Sequence, residues 1–366
     1  MAFNSPDERY REIDRILEQA IDLSPAERDA YVAAECGSNA SMEHSIRRLL
    51  SLSGSLSDFL DTPAVADRPA IRVGDVLLGR FRIVEVLGEG GMGSVYLAED
   101  SELGEVALKT LRPELRRDPA SLDRFRAEIR MARTISHPNV CAIFEFFASN
   151  DSHAPAFFTM QYCAGETLAE RLTRGPLPAD EFREIAQGIA AGLDALHAEG
   201  IVHRDLKPSN IILRRLKNGT LRPVITDFGL ADADHVRQAA SAHILGSPDY
   251  MAPEQFRGSS VTKLADVFSF GVILFEMLAG ARPYPREELF YAALRRVADD
   301  APRLSSVREG TSAIEDDILA RALARDPAVR FPSARAVVQA LETLDSGRLA
   351  SPLVLKRACR RMRRSA

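Results

Sequence analysis

The chain has 366 residues, room for two domains or one large domain with additions. Hydrophobic residues make up 46% and charged ones 27%, as in ordinary globular proteins, and the net charge of −5 argues against whole-protein attraction to nucleic acid. Residues 1–70 are acidic (net −6) and residues 345–366 basic (net +6), so a charged head and tail flank a near-balanced middle.

The N-terminus MAFNSPDERY is polar and acidic, unlike a signal peptide. Residues 1–60 read as helices. Tyr10, Ile13, Leu17 and Ile21 share one face, Ser24-Pro25-Ala26-Glu27 opens a second helix as a capping box with Gly37 as its stop, and a third runs over Met42–Leu52. Two prolines and no periodicity make residues 61–74 a linker. From Phe81 the period becomes two. Phe81, Ile83 and Glu85 alternate with Arg82, Val84 and Val86, Val95 and Leu97 continue after a glycine cluster, and Glu105–Leu111 forms a third strand. This predicts an antiparallel meander followed by a charged helix over Pro119–Ile135. Phe182, Ile185, Ala186, Ile189, Leu193 and Leu196 form one helical face, and Leu264–Leu278 is apolar nearly all round, a buried helix. Asn218-Gly219 marks a hairpin between Ile211–Leu213 and Val224–Thr226. No apolar run approaches a bilayer span, since Phe270–Leu278 is short and contains Glu276. Cys36, Cys141, Cys163 and Cys359 stand apart without metal-ligand or redox spacing, which suits a reducing, cytoplasmic setting.

Three segments carry chemistry. Gly88-Glu89-Gly90-Gly91-Met92-Gly93-Ser94-Val95 joins two strands, unlike a dinucleotide fold, where glycines precede a helix. Such a hairpin lets backbone N–H groups approach phosphates, although the same glycines suit an ordinary flexible turn. Lys109 lies within the apolar strand Val106-Ala107-Leu108-Lys109, and burying its ammonium calls for a carboxylate, for which Glu128 on the following helix is placed. The third segment is Ile201-Val202-His203-Arg204-Asp205-Leu206-Lys207-Pro208-Ser209-Asn210.

With that segment the sequence resembles the bacterial eukaryotic-like (Hanks-type) Ser/Thr protein kinase family over about 270 residues. The resemblance implies an α+β bilobal kinase fold over residues 75–345, with an antiparallel-sheet lobe at 75–160 and a helical lobe at 166–345. It implies transfer of the ATP γ-phosphate to protein serine and threonine hydroxyls, with ATP and Mg²⁺ as cofactors and Mn²⁺ as the alternative ion. Leu87, Gly88, Glu89, Gly90, Gly91, Met92, Gly93, Ser94, Val95, Ala107, Met160, Gln161, Cys163 and Ile212 then surround the nucleotide, with Met160 the gatekeeper and the Gln161 and Cys163 backbone bonding the purine. Lys109, paired with Glu128, reaches the α/β-phosphates. Asp205 is the catalytic base, Lys207 supports the transferring phosphoryl group, and Asn210 and Asp227 ligate the metal. Asp227, Phe228, Gly229, Ser241, Ser247 and Glu254 mark the activation segment, with Ser241 the candidate phosphorylation site facing Arg204. Asp266 braces the catalytic loop and Arg330 pairs with Glu254. Cys163 reads as a packing residue, since nothing near it in sequence lowers its pKa.

Protein substrates are the implied partners, a second copy of the chain is also admitted, and nucleic acid is not. The tail at 346–366 reads as solvated or as a contact for an acidic partner or membrane surface. The rival reading is a pseudokinase, an ATP-binding scaffold, which the presence of Lys109, Asp205, Asn210 and Asp227 disfavours.

Overall fold

The computed structural model describes residues 71–90, 93–111, 119–148, 156–228, 248–256, 261–284, 296 and 299–347, together with 23–37 and scattered positions between 12 and 50. The expected face of Tyr10, Ile13, Leu17 and Ile21, most of the linker, and residues 348–366 of the basic tail lie outside the described residues, as do Gly91, Met92, Gly229, Ser241 and Ser247.

The chain divides into two units. In the N-terminal one, helix α1 (Pro25–Cys36) begins where the sequence signals it. Ser24 and Glu27 form the capping box, Pro25 sits in the first turn, and Gly37 takes a φ of 53° with its N–H on the Ala33 carbonyl. These contacts satisfy donors that a helix start otherwise leaves open. Ile16, Ala20, Val32, Cys36, Met42, Ile46 and Leu50 are all buried, and the four-residue steps among them are those of helical faces.

The larger unit opens with a six-stranded antiparallel sheet. Its strands are β1 (Val76–Leu77), β2 (Phe81–Gly90), β3 (Gly93–Asp100), β4 (Gly104–Thr110), β5 (Ile143–Phe147) and β6 (Phe157–Gln161), in the order β1-β2-β3-β4-β6-β5. Alternation holds at first, with Phe81 and Ile83 buried and Arg82 exposed. A register shift between Ile83 and Glu85 then ends it, and residues 84–88 are all exposed. An extra residue in one strand bends that strand and breaks its two-residue period.

Period two gives the sheet two faces. Val106 and Leu108 join Phe81, Ile83, Tyr96, Ala98 and Phe157 in one cluster, where Phe81 meets the rings of Phe157 and Phe147 edge-on at 5.7 and 5.2 Å. Ala107 belongs to the opposite face. It packs in the main core with Phe158, Met160 and the inward residues Phe125 and Ile129 of helix α2 (Pro119–Ala132). That helix stops three residues short of the expected end. Lys109, two residues past Ala107, shares this second face, so strand geometry alone turns the lysine toward the rest of the molecule.

Past β6 the chain becomes helical: β7 (Glu166–Thr167), α3 (Leu168–Leu172), α4 (Ala179–Ala198), the hairpin β8 (Ile211–Arg215) and β9 (Leu221–Ile225), α5 (Pro253–Phe256), α6 (Lys263–Ala279), α7 (Ala313–Ala322) and α8 (Ala334–Gly347). The expected α4 face is buried at Ile185, Ala186, Ile189, Leu193 and Leu196. Helix α6 is buried over nearly its whole circumference, starting at an N-cap Thr262 whose side chain accepts from the Leu264 N–H and stopping at Gly280, φ 71°. Among the described residues no helix is long and apolar enough to cross a membrane. The Cys141 N–H reaches the Ile225 carbonyl at 2.9 Å and the Ile225 N–H reaches the Asn139 carbonyl at 2.9 Å, which ties the upper sheet's approach segment to β9.

Gly93 shows how tightly the glycine hairpin sits on its neighbour. Its φ is 142°, and a Cβ there would stand 1.9 Å from the Thr110 carbonyl oxygen. Gly93→Ala is therefore expected to destabilise the protein by about 1–3 kcal/mol. Thermal unfolding checks this, and an unchanged midpoint would show that the hairpin moves aside freely.

Candidate active site

The polar residues singled out in the sequence come from separate segments, and hydrogen bonds link those of β4, the loop at 203–210, the residues after β9 and α6. Lys109 is 6% exposed on β4, and its Nζ lies 2.6 Å from Asp227 Oδ1. Asp227 follows β9 and holds a left-handed φ of 58°, an unfavourable conformation for a residue other than glycine. The preceding Thr226 fixes it from behind. Its N–H and hydroxyl both donate to the Asn210 carbonyl, at 2.9 and 3.1 Å, while its own carbonyl accepts from His203 Nε2 at 3.1 Å.

Asn210 ends a short 3-10 turn, Pro208–Asn210, in which Pro208 supplies the first position. Its Nδ2 donates to the Asp205 carbonyl at 2.8 Å and to Asp205 Oδ2 at 3.3 Å. Lys207 Nζ stands 2.7 Å from the same Oδ2. The Asp205 N–H donates to His203 Nδ1 at 3.3 Å, so His203 carries its proton on Nε2, where it meets Thr226. One connected path thus runs from Lys109 through Asp227, Thr226 and Asn210 to Asp205 and Lys207. Glu128 is half-buried on α2, next to the inward-facing Ile129.

Asp266 anchors the loop from α6. It is 1% exposed and accepts three times: from the His203 N–H at 2.8 Å, from the Arg204 N–H at 2.9 Å, and from His197 Nε2 at 2.7 Å. Arg204 has a φ of 66°, so the backbone that Asp266 grips is itself in a left-handed conformation. Downstream, Glu254 and Arg330 form a two-pronged buried pair at 2.6 and 2.8 Å. Arg330 also donates to the Ala324 carbonyl at 2.7 Å and the Leu264 carbonyl at 2.8 Å, with its guanidinium 4.9 Å from the Phe268 ring centre. Tyr250 donates its hydroxyl to Glu276 at 2.6 Å, and burial raises the pKa of both groups.

Around the expected nucleotide site, Met160 pairs with Ala107 across β4 and β6, and Val95 pairs with Lys109 across β3 and β4. Leu87 is exposed on β2, Ile212 is half-buried on β8, and Ser94 is buried with its N–H on the Thr110 hydroxyl at 3.0 Å. Cys163 is buried in the core, and the Cys141 thiol, from another segment, donates to the Gln161 carbonyl two residues before it at 3.4 Å. The carboxylate of Asp227 and the side-chain carbonyl of Asn210 are hard oxygen donors, a set that fits Mg²⁺ shared with phosphate oxygens.

Three contributors escape sequence reasoning. His197 and His203 organise the loop through Asp266 and Thr226. Gln255 accepts from the Ala252 N–H at 2.9 Å and donates to the Arg204 carbonyl at 2.8 Å, joining the segment around Glu254 to the loop of Asp205. His203 lies inside the motif already singled out, whereas nothing in the sequence marks Gln255 for that role.

Comparison with known proteins extends these observations. Residues 81–341 match the protein kinase domain family. The chain is 35% identical over 283 residues to serine/threonine-protein kinase PrkC of Bacillus subtilis, an alignment covering 76% of this chain and 42% of that protein. It is 35% identical over 276 residues to serine/threonine-protein kinase PknB of Mycobacterium leprae, covering 74% and 44%. The chain thus spans less than half the length of these two curated relatives. Among solved structures, the PknI kinase domain of Mycobacterium tuberculosis superposes with a TM-score of 0.59 at 29% identity, over 75% of this chain and 99% of that one.

The buried Glu254–Arg330 pair gives a direct test. Glu254→Ala strands a guanidinium in the core and is expected to cost about 3–5 kcal/mol. Adding Arg330→Met should recover part of that loss. Chemical denaturation of the two variants checks this, and a mild single-variant effect would show that Arg330 is satisfied by its carbonyl partners alone.

Proposed function

The chain belongs to the protein kinase family, and on that premise we propose that it is a serine/threonine protein kinase that moves the γ-phosphate of ATP to protein hydroxyls. The observation that carries this reading is the unbroken path of contacts from Lys109 through Asp227, Thr226 and Asn210 to Asp205 and Lys207. Phosphoryl transfer needs positioning and charge neutralisation more than covalent catalysis, and these residues supply both.

Asp205 accepts the proton of the incoming serine or threonine hydroxyl and aims that oxygen at the phosphorus. Lys207, already on Asp205 Oδ2, keeps the carboxylate oriented and offers positive charge to the transferring group. Lys109 draws the nucleotide phosphates toward the sheet. It exchanges its contact with Asp227 for them, which frees the Asp227 carboxylate. Asn210 and Asp227 would hold Mg²⁺, which supplies charge neutralisation across the phosphates when bound. The serine/threonine assignment rests on Lys207 within Asp205-Leu206-Lys207-Pro208 and agrees with the names of the relatives.

In the same reading Ser241 is the autophosphorylation site, its phosphate received by Arg204 beside the catalytic loop. Arg204 is well placed to report that event, because its N–H is held by Asp266 and its carbonyl by Gln255.

Radiolabelled ATP with Mg²⁺ and a generic acceptor protein tests the reaction. Wild type should label serine and threonine, and Asp205→Asn should lose about 10²–10⁴-fold in rate while ATP affinity stays within a few-fold. A wild type that binds ATP and transfers nothing overturns the assignment in favour of a nucleotide-binding scaffold. Mass spectra of the tryptic peptide Gln238–Arg257 from autophosphorylated protein should carry phosphate on Ser241 and lose it in Ser241→Ala. A peptide without phosphate excludes that site.

A further inference from the structure

The charged pairs of the site, Lys109–Asp227, Lys207–Asp205 and Arg330–Glu254, each join opposite signs. The β8–β9 hairpin breaks that pattern. Residues 214–222 read Arg-Arg-Leu-Lys-Asn-Gly-Thr-Leu-Arg, with four positive charges and no negative one in a chain of net charge −5. The register sets Arg214 directly opposite Arg222, two steps along the ladder from the pair Ile212–Val224. Partners in an antiparallel ladder share one face, with Cβ atoms about 4.5–5.5 Å apart, and like charges so placed repel. Both arginines are half-buried, which limits screening by solvent. Among the described residues neither guanidinium has an ion pair or a side-chain hydrogen bond. Two carboxylates border the hairpin, and both are engaged elsewhere. Glu166, opposite Leu213 on β7, is gripped by Arg174 at 2.6 and 2.8 Å, and Glu184 accepts from the Leu221 N–H at 3.2 Å.

We propose that Arg214 and Arg222 form a docking site for a carboxylate-rich segment of a protein substrate. Naming the partner a substrate rests on the kinase reading. Two guanidinium forks on one face can each hold a carboxylate side-on or close on a single one from both sides, and either arrangement replaces repulsion with attraction. Lys217, exposed at the turn, extends the positive charge toward further acidic residues.

The hairpin's place in the fold favours a substrate as the partner. Arg214 is four residues beyond Asn210 and Arg222 five before Asp227, so the two strands that carry the pair connect it directly to both proposed metal ligands. Four or five residues of strand span about 13–17 Å. A flexible link of about eight residues covers that distance, so one peptide can dock on the hairpin and present a hydroxyl to Asp205.

The full chain and two probes test this. The first is fluorescein-labelled hexaglutamate, read by anisotropy. It should bind wild type and bind Arg214→Glu/Arg222→Glu at least roughly tenfold more weakly. Binding should fade in about 1 M salt, where the Debye length is about 3 Å. Arg214→Gln/Arg222→Gln is the second variant. It too should lose the probe, and its thermal midpoint should match or exceed that of wild type, because it relieves a repulsion. The second probe is a serine- and threonine-containing acceptor peptide, joined at either end through a Gly/Ser linker of about eight residues to a run of glutamates or, as the control, of glutamines. Wild type should phosphorylate the glutamate form with a roughly tenfold lower KM at equal kcat. Both double variants should lose that preference and keep the wild-type kcat and KM on the glutamine form. Equal hexaglutamate binding by wild type and the two variants overturns the proposal, as does phosphorylation with no difference in KM. Tighter binding to phosphatidylserine vesicles than to hexaglutamate overturns the acidic-peptide occupant. Hexaglutamate held by the arginine pair with no phosphorylation of either peptide overturns the kinase reading and leaves the acidic-peptide site standing.

Discussion

The site hangs on one buried carboxylate. Asp266 sits in the apolar core of α6 and brings a negative charge where water cannot reach it. Such a charge is tolerable only when it is fully hydrogen-bonded, and here two backbone N–H groups and an imidazole serve it. The arrangement acts both ways. The loop at His203–Arg204 satisfies the aspartate, and the aspartate holds Arg204 in a left-handed conformation that costs about 1–3 kcal/mol when unsupported. Asp205 follows immediately, so its direction is inherited from a helix whose Asp266 lies 62 positions beyond Arg204.

From that anchor the remaining polar groups can be followed outward. His203 uses one ring nitrogen to accept from Asp205 and the other to donate to Thr226, so a single imidazole couples the loop to the residue before Asp227. Thr226 then fastens Asn210 through the Asn210 carbonyl, while Asn210 fastens Asp205. Gln255 closes the circuit from the far side by holding the Arg204 carbonyl. In a low-dielectric setting such a network is stiff when every member is satisfied and costly when one is removed. That stiffness suits the proposed phosphoryl transfer, whose catalysis is mainly geometric.

The charges around the network serve different ends. Glu254 and Arg330 are fully enclosed and two-pronged, and their partners include backbone carbonyls on both sides, so the pair fixes chain paths. Lys109 and Asp227 are joined by a single contact at the edge of the cleft, and Asp227 keeps a quarter of its side chain exposed. A partly open pair of that kind is free to exchange partners, as the proposed reaction requires. The closed one cannot do so without leaving a bare charge in the core. The difference follows from burial and geometry, since both pairs join one basic and one acidic side chain.

Much of this was legible in the sequence because local chemistry repeats with the backbone's own periods. The capping box at Ser24 and Glu27, the buried face of α4, the all-round apolarity of α6 and the strand that carries Lys109 all follow from short-range rules. Of the residues in the ordered motifs from Gly88 to Arg330, the fold joins Lys109 to Asp227, Lys207 and Asn210 to Asp205, and Glu254 to Arg330. What the sequence could not supply were relations between segments distant along the chain. The register shift after Ile83 exposes residues 84–88 because strand pairing, not alternation, sets the face there. Gln255 reaches Arg204 across 51 positions, and the Cys141 thiol reaches the Gln161 carbonyl across 20, although no spacing marks either contact. By itself the sequence determined which elements form, since these depend on neighbours a few residues away. Only the tertiary structure decided which atoms share a proton or a charge, because those contacts exist only once burial has brought remote segments within hydrogen-bond distance.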